Sequence, residues 1–311
     1  MHPPAVMALS GGMDSTCLLL RLLADGHAVT ALGIDYGQRH RRELELAQRN
    51  VEMLQAQGHA VTYNLVDLRS AMSSLNSSLT DHNATMPEGH YAEEQMKQTV
   101  VPNRNAIFSS LLFATALSLS KQHEGHARIA LGVHSGDHAI YPDCRPEFYA
   151  AIEHAFKVGN WDAEGVNFDL PYLHTDKAGI LRDGLSSCEA LGLDFDAVLS
   201  NTLTSYAPDV EGRSLGTTGS DVERILAFHE IGRVDPIPYV RPWEDVLEHA
   251  LTLQRAHEEG QASRRKPKLN GVHCSRLWPI MSHERREPNA RTRVCCSTKR
   301  GTACTAAYVA T

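Results

Sequence analysis

Residues 10–15 read Ser10-Gly11-Gly12-Met13-Asp14-Ser15. Paired glycines leave the main chain bare, so its N–H groups and the start of a following helix can face an anion at close range. Ser10 and Ser15 add hydroxyl donors. Asp14 is the odd member, because a carboxylate repels phosphate; it makes sense if it caps the helix or helps hold a magnesium ion. The pattern is neither G-x-x-x-x-G-K-[ST] nor G-x-G-x-x-G.

Further candidates lie along the chain. Tyr36, Gly37 and Gln38 offer an aromatic face, close backbone approach and an amide. Asn103, Arg104 and Asn105 stand at a helix entry, where Arg104 could pair with phosphate or carboxylate. His134, Asp137, Tyr141, Asp143 and Arg145 crowd one stretch. There Asp143 can accept from a guanine-like N–H edge and Arg145 can grip a carboxylate bidentately. The same pair would also suit a salt-bridged helix start. Lys177 could reach phosphate or be a solvated helix lysine.

These residues need elements to carry them. Hydrophobic patterning predicts strands over 5–9, 28–35, 61–66 and 128–133, and helices over 15–25, 41–57, 105–119, 146–158 and 176–191. Thr175 or Asp176 would cap the last of these. Strands alternating with helices imply right-handed crossovers and a parallel sheet covered on both faces. Ligands of such sheets sit beyond the C-terminal strand ends, which picks out the loops carrying the candidates above. Residues 70–100 are rich in Ser and Asn and read as a long loop or lid. The division expected is a nucleotide-binding domain over 1–200, a helical segment over 201–240, a helix within 241–261, and a basic, disordered tail over 262–311.

With 311 residues, 42% apolar and 22% charged, the chain can bury a full core and is composed like a soluble globular protein. No apolar run reaches the roughly 18 residues of a membrane span. The N-terminus lacks the basic flank and apolar run of a signal peptide, so a cytoplasmic protein is expected. Seven cysteines without any C-x-x-C pair argue against a disulfide framework or zinc ribbon. The net charge of −7 conceals an asymmetry: from residue 262 onward eleven basic residues face two acidic ones, a charge of +9 that leaves −16 on the body. Such a tail could touch nucleic acid weakly. Its His273, Cys274, His283, Cys295, Cys296 and Cys304 match no common metal-finger spacing.

The S-G-G-x-D-S spacing resembles the pyrophosphate loop of ATP pyrophosphatases. "DYGQRHRRELELA", "VPNRNAIF", the Y-P-D-C-R-P-E-F segment at 141–148, "NTLTSYAPDVEGRS" and "PIPYV" together resemble the 7-cyano-7-deazaguanine synthase family over about residues 5–240. The resemblance implies a doubly wound α/β sheet of the adenine nucleotide alpha hydrolase-like type with a small C-terminal helical lobe. It implies an ATP-dependent ligase that turns 7-carboxy-7-deazaguanine and ammonia into the nitrile through an adenylate, on the way to queuosine. ATP contact is then expected at Leu9, Ser10, Gly11, Gly12, Met13, Asp14, Ser15 and Thr16, with magnesium. Catalytic roles fall to Asp14, Ser15, Arg104 and Lys177. Base binding falls to Tyr36, Gly37, Gln38, Asn103, Arg104, Asn105, His134, Asp137, Tyr141, Asp143 and Arg145. A homodimer is also implied. Alternatives are a pyrophosphate-loop enzyme acting on tRNA, as a thiolase or lysidine-type ligase, and a non-catalytic deazapurine-binding homologue.

One departure stands out. The family carries four zinc-binding cysteines, in a pattern like S-C-Y followed by C-G-x-C-x-x-C. The matching positions here are Ser205, Leu215, Thr218 and Asp221, while Tyr206, Gly216 and Arg224 fit the framework. Leucine cannot ligate a metal and hydroxyls are poor zinc ligands, so no zinc is expected. Something else must then hold this lobe together, or it moves.

Overall fold

The computed structural model describes residues 2–38, 41–75, 77, 79–80, 94–123, 125–205 and 208–265. Five parallel strands form the sheet: β1 (Ala5–Ala8), β2 (Val29–Asp35), β3 (Val61–Asp67), β4 (Ala127–Ala130) and β5 (Val166–Asp169), in spatial order β3-β2-β1-β4-β5. The register sets Ala5 beside both Val29 and Arg128. The helices are α1 (Met13–Ala24), α2 (Arg42–Ala56), α3 (Arg69–Met72), α4 (Arg104–Ser120), α5 (Pro146–Gly159), α6 (Lys177–Leu191), α7 (Phe195–Ser200), α8 (Gly219–Glu230) and α9 (Trp243–Arg265).

Alternate residues of each inner strand feed opposite faces, as the strand period of two requires. Ala5 and Met7 of β1 join α1, α2 and α6 in one core. Val6, with Leu32 and Ile34 of β2, joins α4 in the other. Both faces are therefore covered, which is why these strands read as unbroken apolar runs. Strand order reverses between β1 and β4, and the crevice above that reversal is the place where such sheets bind ligands.

Sequence patterning misses β5, whose four residues Val-Asn-Phe-Asp carry too short a signal, and the stretch 70–100 expected as a loop ends in a 3-10 turn at Glu94–Thr99. Residues 81–93 of the expected lid lie outside the described residues. Helix α9 runs on to Arg265, past the expected start of a disordered tail at 262. Residues Met1–Lys266 form one compact unit. The rest of the expected tail lies outside the described residues. No described helix is long and apolar enough to cross a membrane.

Beyond α7 the chain builds a small lobe. Val222 and Ile225 of α8 pack on Val246 and Ala250 of α9. Arg224, wholly buried, makes a bidentate pair with Asp235 at 2.6 and 2.9 Å and donates to Thr202 and Thr204 at 2.9 and 3.0 Å. Burying two charges costs several kcal/mol each, so only such full satisfaction of the fork makes the pair tolerable.

Candidate active site

The turn after β1 is held by its own hydroxyls. Ser10 Oγ accepts from the Gly12 N–H at 3.2 Å and meets Ser15 Oγ at 3.0 Å, and Ser15 Oγ donates to the Gly12 carbonyl at 3.2 Å. Gly11 has φ +87°, and a Cβ there would run into the Glu43 carbonyl oxygen at the start of α2. Its glycine is thus required by packing against the chain itself. Gly12 is the looser of the two, with Ser10 Oγ 3.3 Å from where a Cβ would lie. The Leu203 N–H donates to the Gly11 carbonyl at 3.0 Å, tying the lobe to the turn.

Two hollows that share Ser10, Asp14, Ser15, Glu43 and Asp137 open around the turn. The smaller, about 150 Å³, is walled by Ser10, Gly12, Met13, Asp14, Ser15 and Lys177, and on the lobe side by Leu203, Thr204 and Ser220. The larger, about 290 Å³, runs across the sheet reversal from Leu9 to Gly132. Of the expected residues it takes Leu9, Ser10, Asp14, Ser15, Tyr36, Gln38, Arg104, Asn105, Asp137 and Tyr141.

Asp14 does not cap α1, whose N-cap is Gly12 with no side-chain bond. Its Oδ2 instead lies 2.8 Å from Lys177 Nζ, at the first turn of α6. Lys177 is 7% exposed, and Glu223 Oε2 stands 3.3 Å from the same ammonium. Burial alone would lower the Lys177 pKa, but Asp14, Glu223 and Asp137 overcome it and hold it above the usual lysine value. Burial likewise opposes ionisation of Asp14, yet Lys177 and His134 keep its carboxyl below the usual range. Asp14 Oδ1 is buried without a hydrogen-bond partner, an oxygen acceptor of the kind a hard cation takes, though among the described residues no three His, Cys, Asp or Glu side chains gather as a metal site.

In the larger hollow the Arg104 guanidinium lies between two rings, 5.8 Å from the centroid of Tyr36 and 5.9 Å from that of Tyr141. Gln38 spends its amide within the chain. Its Oε1 accepts from the Tyr36 N–H at 2.9 Å, and Nε2 donates to the Ile34 carbonyl and to Glu43 at 3.2 and 3.3 Å. It therefore holds Glu43 while also lining the hollow. Burial raises the Glu43 carboxyl to about 7, with Gln38 and Arg104 pulling the other way.

Several expected residues stand behind the walls. Thr16 is 1% exposed within α1, and Gly37 donates its N–H to Asp35 at 3.2 Å in the turn. Asn103 stands at the N-cap position of α4 with φ 58° and no side-chain cap bond. His134 is buried and accepts from the Gly136 N–H at 3.1 Å, its Nε2 lying 3.6 Å from Asp137 and 4.0 Å from Asp14. Asp143 accepts weakly from the Asn105 N–H at 3.3 Å, and Arg145 donates to the His138 carbonyl at 3.0 Å. Neither is among the residues lining these two hollows, and Asp143 Oδ1 is buried without a hydrogen-bond partner.

Sequence reasoning passes over Glu43 and Glu223. Glu43 carried a signal: an acid in the first turn of a helix that begins at the ligand end of the sheet. Glu223 carried none, since only the fold of the lobe brings it to Lys177.

The positions matching the family's zinc cysteines do not fit zinc. Ser205, Thr218 and Asp221 offer two hydroxyls and one carboxylate, and the hydroxyls already donate to Asp221. Leu215 is aliphatic.

The family described as "Queuosine biosynthesis protein QueC" matches residues 4–232. The 7-cyano-7-deazaguanine synthase 1 of Colwellia psychrerythraea is 45% identical over 241 residues, 77% of this chain and 100% of that protein. The 7-cyano-7-deazaguanine synthase of Methanoregula boonei is 41% identical over 235 residues, 76% of this chain and 98% of that protein. That of Hahella chejuensis is 44% identical over 236 residues, 76% of this chain and 92% of that protein.

Proposed function

Given that this chain belongs to the QueC family of queuosine biosynthesis proteins, we propose that it makes 7-cyano-7-deazaguanine from the 7-carboxy compound, ammonia and ATP. The observation that carries the reading is the meeting of the Gly12 turn, the Ser10 and Ser15 hydroxyls and the Lys177 ammonium around one small hollow. A helix start, two hydroxyls and a buried cation meet where pyrophosphate would leave. The acid would attack the α-phosphorus, its oxygen bonding to phosphorus as pyrophosphate departs. Ammonia would then displace AMP and give the amide. A second ATP would activate the amide oxygen, which leaves on AMP as the nitrile forms.

Lys177 neutralises charge on the departing phosphates, and Asp14 keeps the ammonium aimed at the turn. Magnesium, when bound, would be held by Asp14 and would neutralise phosphate charge. Arg104, fixed between Tyr36 and Tyr141, presents a guanidinium to the substrate carboxylate, and the rings offer faces to a flat base. Glu43, aimed by Gln38, is the acceptor the larger hollow supplies for the amidine edge of a guanine-like base. Rates gained here come from positioning and preorganised charge. A homodimer, and a weak contact of the basic tail with nucleic acid, remain part of this reading on family likeness and charge alone.

The test is direct. The purified full chain is incubated with ATP, magnesium, ammonia and 7-carboxy-7-deazaguanine, and nitrile, AMP and pyrophosphate are measured. Nitrile with matching AMP and pyrophosphate is expected. AMP formed only when tRNA is added, or base bound without turnover, would overturn the reading.

A further inference from the structure

The lobe that walls the small hollow contains a buried carboxylate held almost wholly by hydroxyls. Asp221 is 1% exposed. Its Oδ1 accepts from Ser214 Oγ at 2.7 Å. Its Oδ2 accepts from Thr218 Oγ1 at 2.7 Å, Ser205 Oγ at 3.1 Å and the Thr218 N–H at 3.1 Å. Ser205, Ser214 and Thr218 are 5%, 0% and 1% exposed. Burial raises the Asp221 pKa, and the hydrogen bonds from Ser214, Thr218 and Ser205 pull it the other way.

These donors come from separate stretches of chain. Ser205 lies on the segment entering the lobe and also walls the larger hollow. Ser214 pairs with the returning segment: its N–H donates to the Pro238 carbonyl, and its carbonyl accepts from Val240, both at 3.0 Å. Thr218 and Asp221 form a reciprocal capping box at the start of α8. One side chain thus gathers the lobe's entry, its turn and its helix, which is the task a tetrahedral metal ion performs when it crosslinks a small lobe. The third hydroxyl comes from Ser214, the residue beside the aliphatic Leu215. Sequence matching of the cysteine positions alone could not find it.

The same start of α8 builds the site. Ser220 walls the small hollow, Glu223 reaches Lys177, and Arg224 holds Thr204, another wall residue. We propose that Asp221 is a positioning residue that replaces a structural metal ion: with Ser205, Ser214 and Thr218 it locks the lobe against the nucleotide site without zinc.

Three measurements on the purified full chain test this. Elemental analysis should find well under one zinc per chain, and a strong chelator should leave Tm unchanged. Ser214→Ala, which removes a hydroxyl that lines neither hollow, should lower Tm by roughly 3–12 °C, and Asp221→Asn should lower it further. Ser214→Ala should also raise KM for ATP several-fold with a smaller change in kcat, because a shifted wall weakens nucleotide binding in every molecule. One zinc per chain whose removal lowers Tm would overturn the proposal. Wild-type Tm in Ser214→Ala would do the same, and a Tm loss with unchanged KM would overturn the positioning role. Should Asp221→Asn fail to fold, Ser214→Ala and the zinc content still decide. The KM readout rests on the ATP reading; zinc content and Tm do not, so the two failures are told apart.

Discussion

The Lys177 ammonium, 2.8 Å from Asp14 and 3.3 Å from Glu223, is the buried cation facing the Gly12 turn. Replacing it by Met removes charge stabilisation of the departing pyrophosphate, and kcat/KM should fall by about 10²–10³. Pyrophosphate release assayed over a range of ATP checks this. Glu43 makes a different prediction. Its folded carboxyl titrates at about 7 against an ordinary 4.5, so the folded chain holds this proton more tightly than the unfolded one. The contribution is fully present below about pH 4.5 and is lost as pH rises through about 7, a difference on the order of 3 kcal/mol. Tm of the wild type should therefore fall more steeply between pH 5 and 7.5 than Tm of Glu43→Gln, followed by thermal melts at matched ionic strength. Lys177 was visible in the sequence only as a choice between phosphate ligand and solvated lysine. Its burial depends on α6 packing against α1, which no local pattern encodes.

At the scale of elements, the two glycines of the turn do different work. Gly11→Ala meets both a positive φ and the backbone of α2, and should cost more than about 2 kcal/mol in a denaturant titration. Gly12→Ala meets only the edge of Ser10 Oγ. It should fold within about 1 kcal/mol of wild type while losing nucleotide affinity, since Gly12 lines the small hollow and an added methyl group would narrow it. The hexapeptide, the strand before it and the helix after it were legible because two glycines between apolar runs leave few other structures open. The 141–148 segment was legible as a motif, but not the direction of its side chains. Arg145 donates to the His138 carbonyl in its own loop, while Asp143 accepts from the Asn105 N–H at the start of α4. In the lobe, Asp235→Asn leaves the buried Arg224 short of its partner and should cost about 3–5 kcal/mol, read as a fall in Tm.

Across the whole molecule, alternation of strand and helix was enough to predict a two-sided parallel sheet, because each strand's apolar run needs cover on both faces. The order of strands was not legible. Nor was the way residues 201–240 fold back, which depends on buried polar groups finding one another rather than on periodicity. The family match ends at residue 232, and the compact unit ends at Lys266. A chain shortened to residues 1–266 should keep wild-type kcat/KM, checked by the nitrile assay. Residues 201–240 contain no cysteine, and Cys144, the thiol on the larger hollow, is kept protonated by its burial and so a poor nucleophile. A lobe fastened by oxygen atoms has nothing for peroxide to attack and nothing for a starved cell to withdraw. On that proposal, zinc scarcity would leave this lobe fastened where one stitched by thiolates around a zinc ion comes apart.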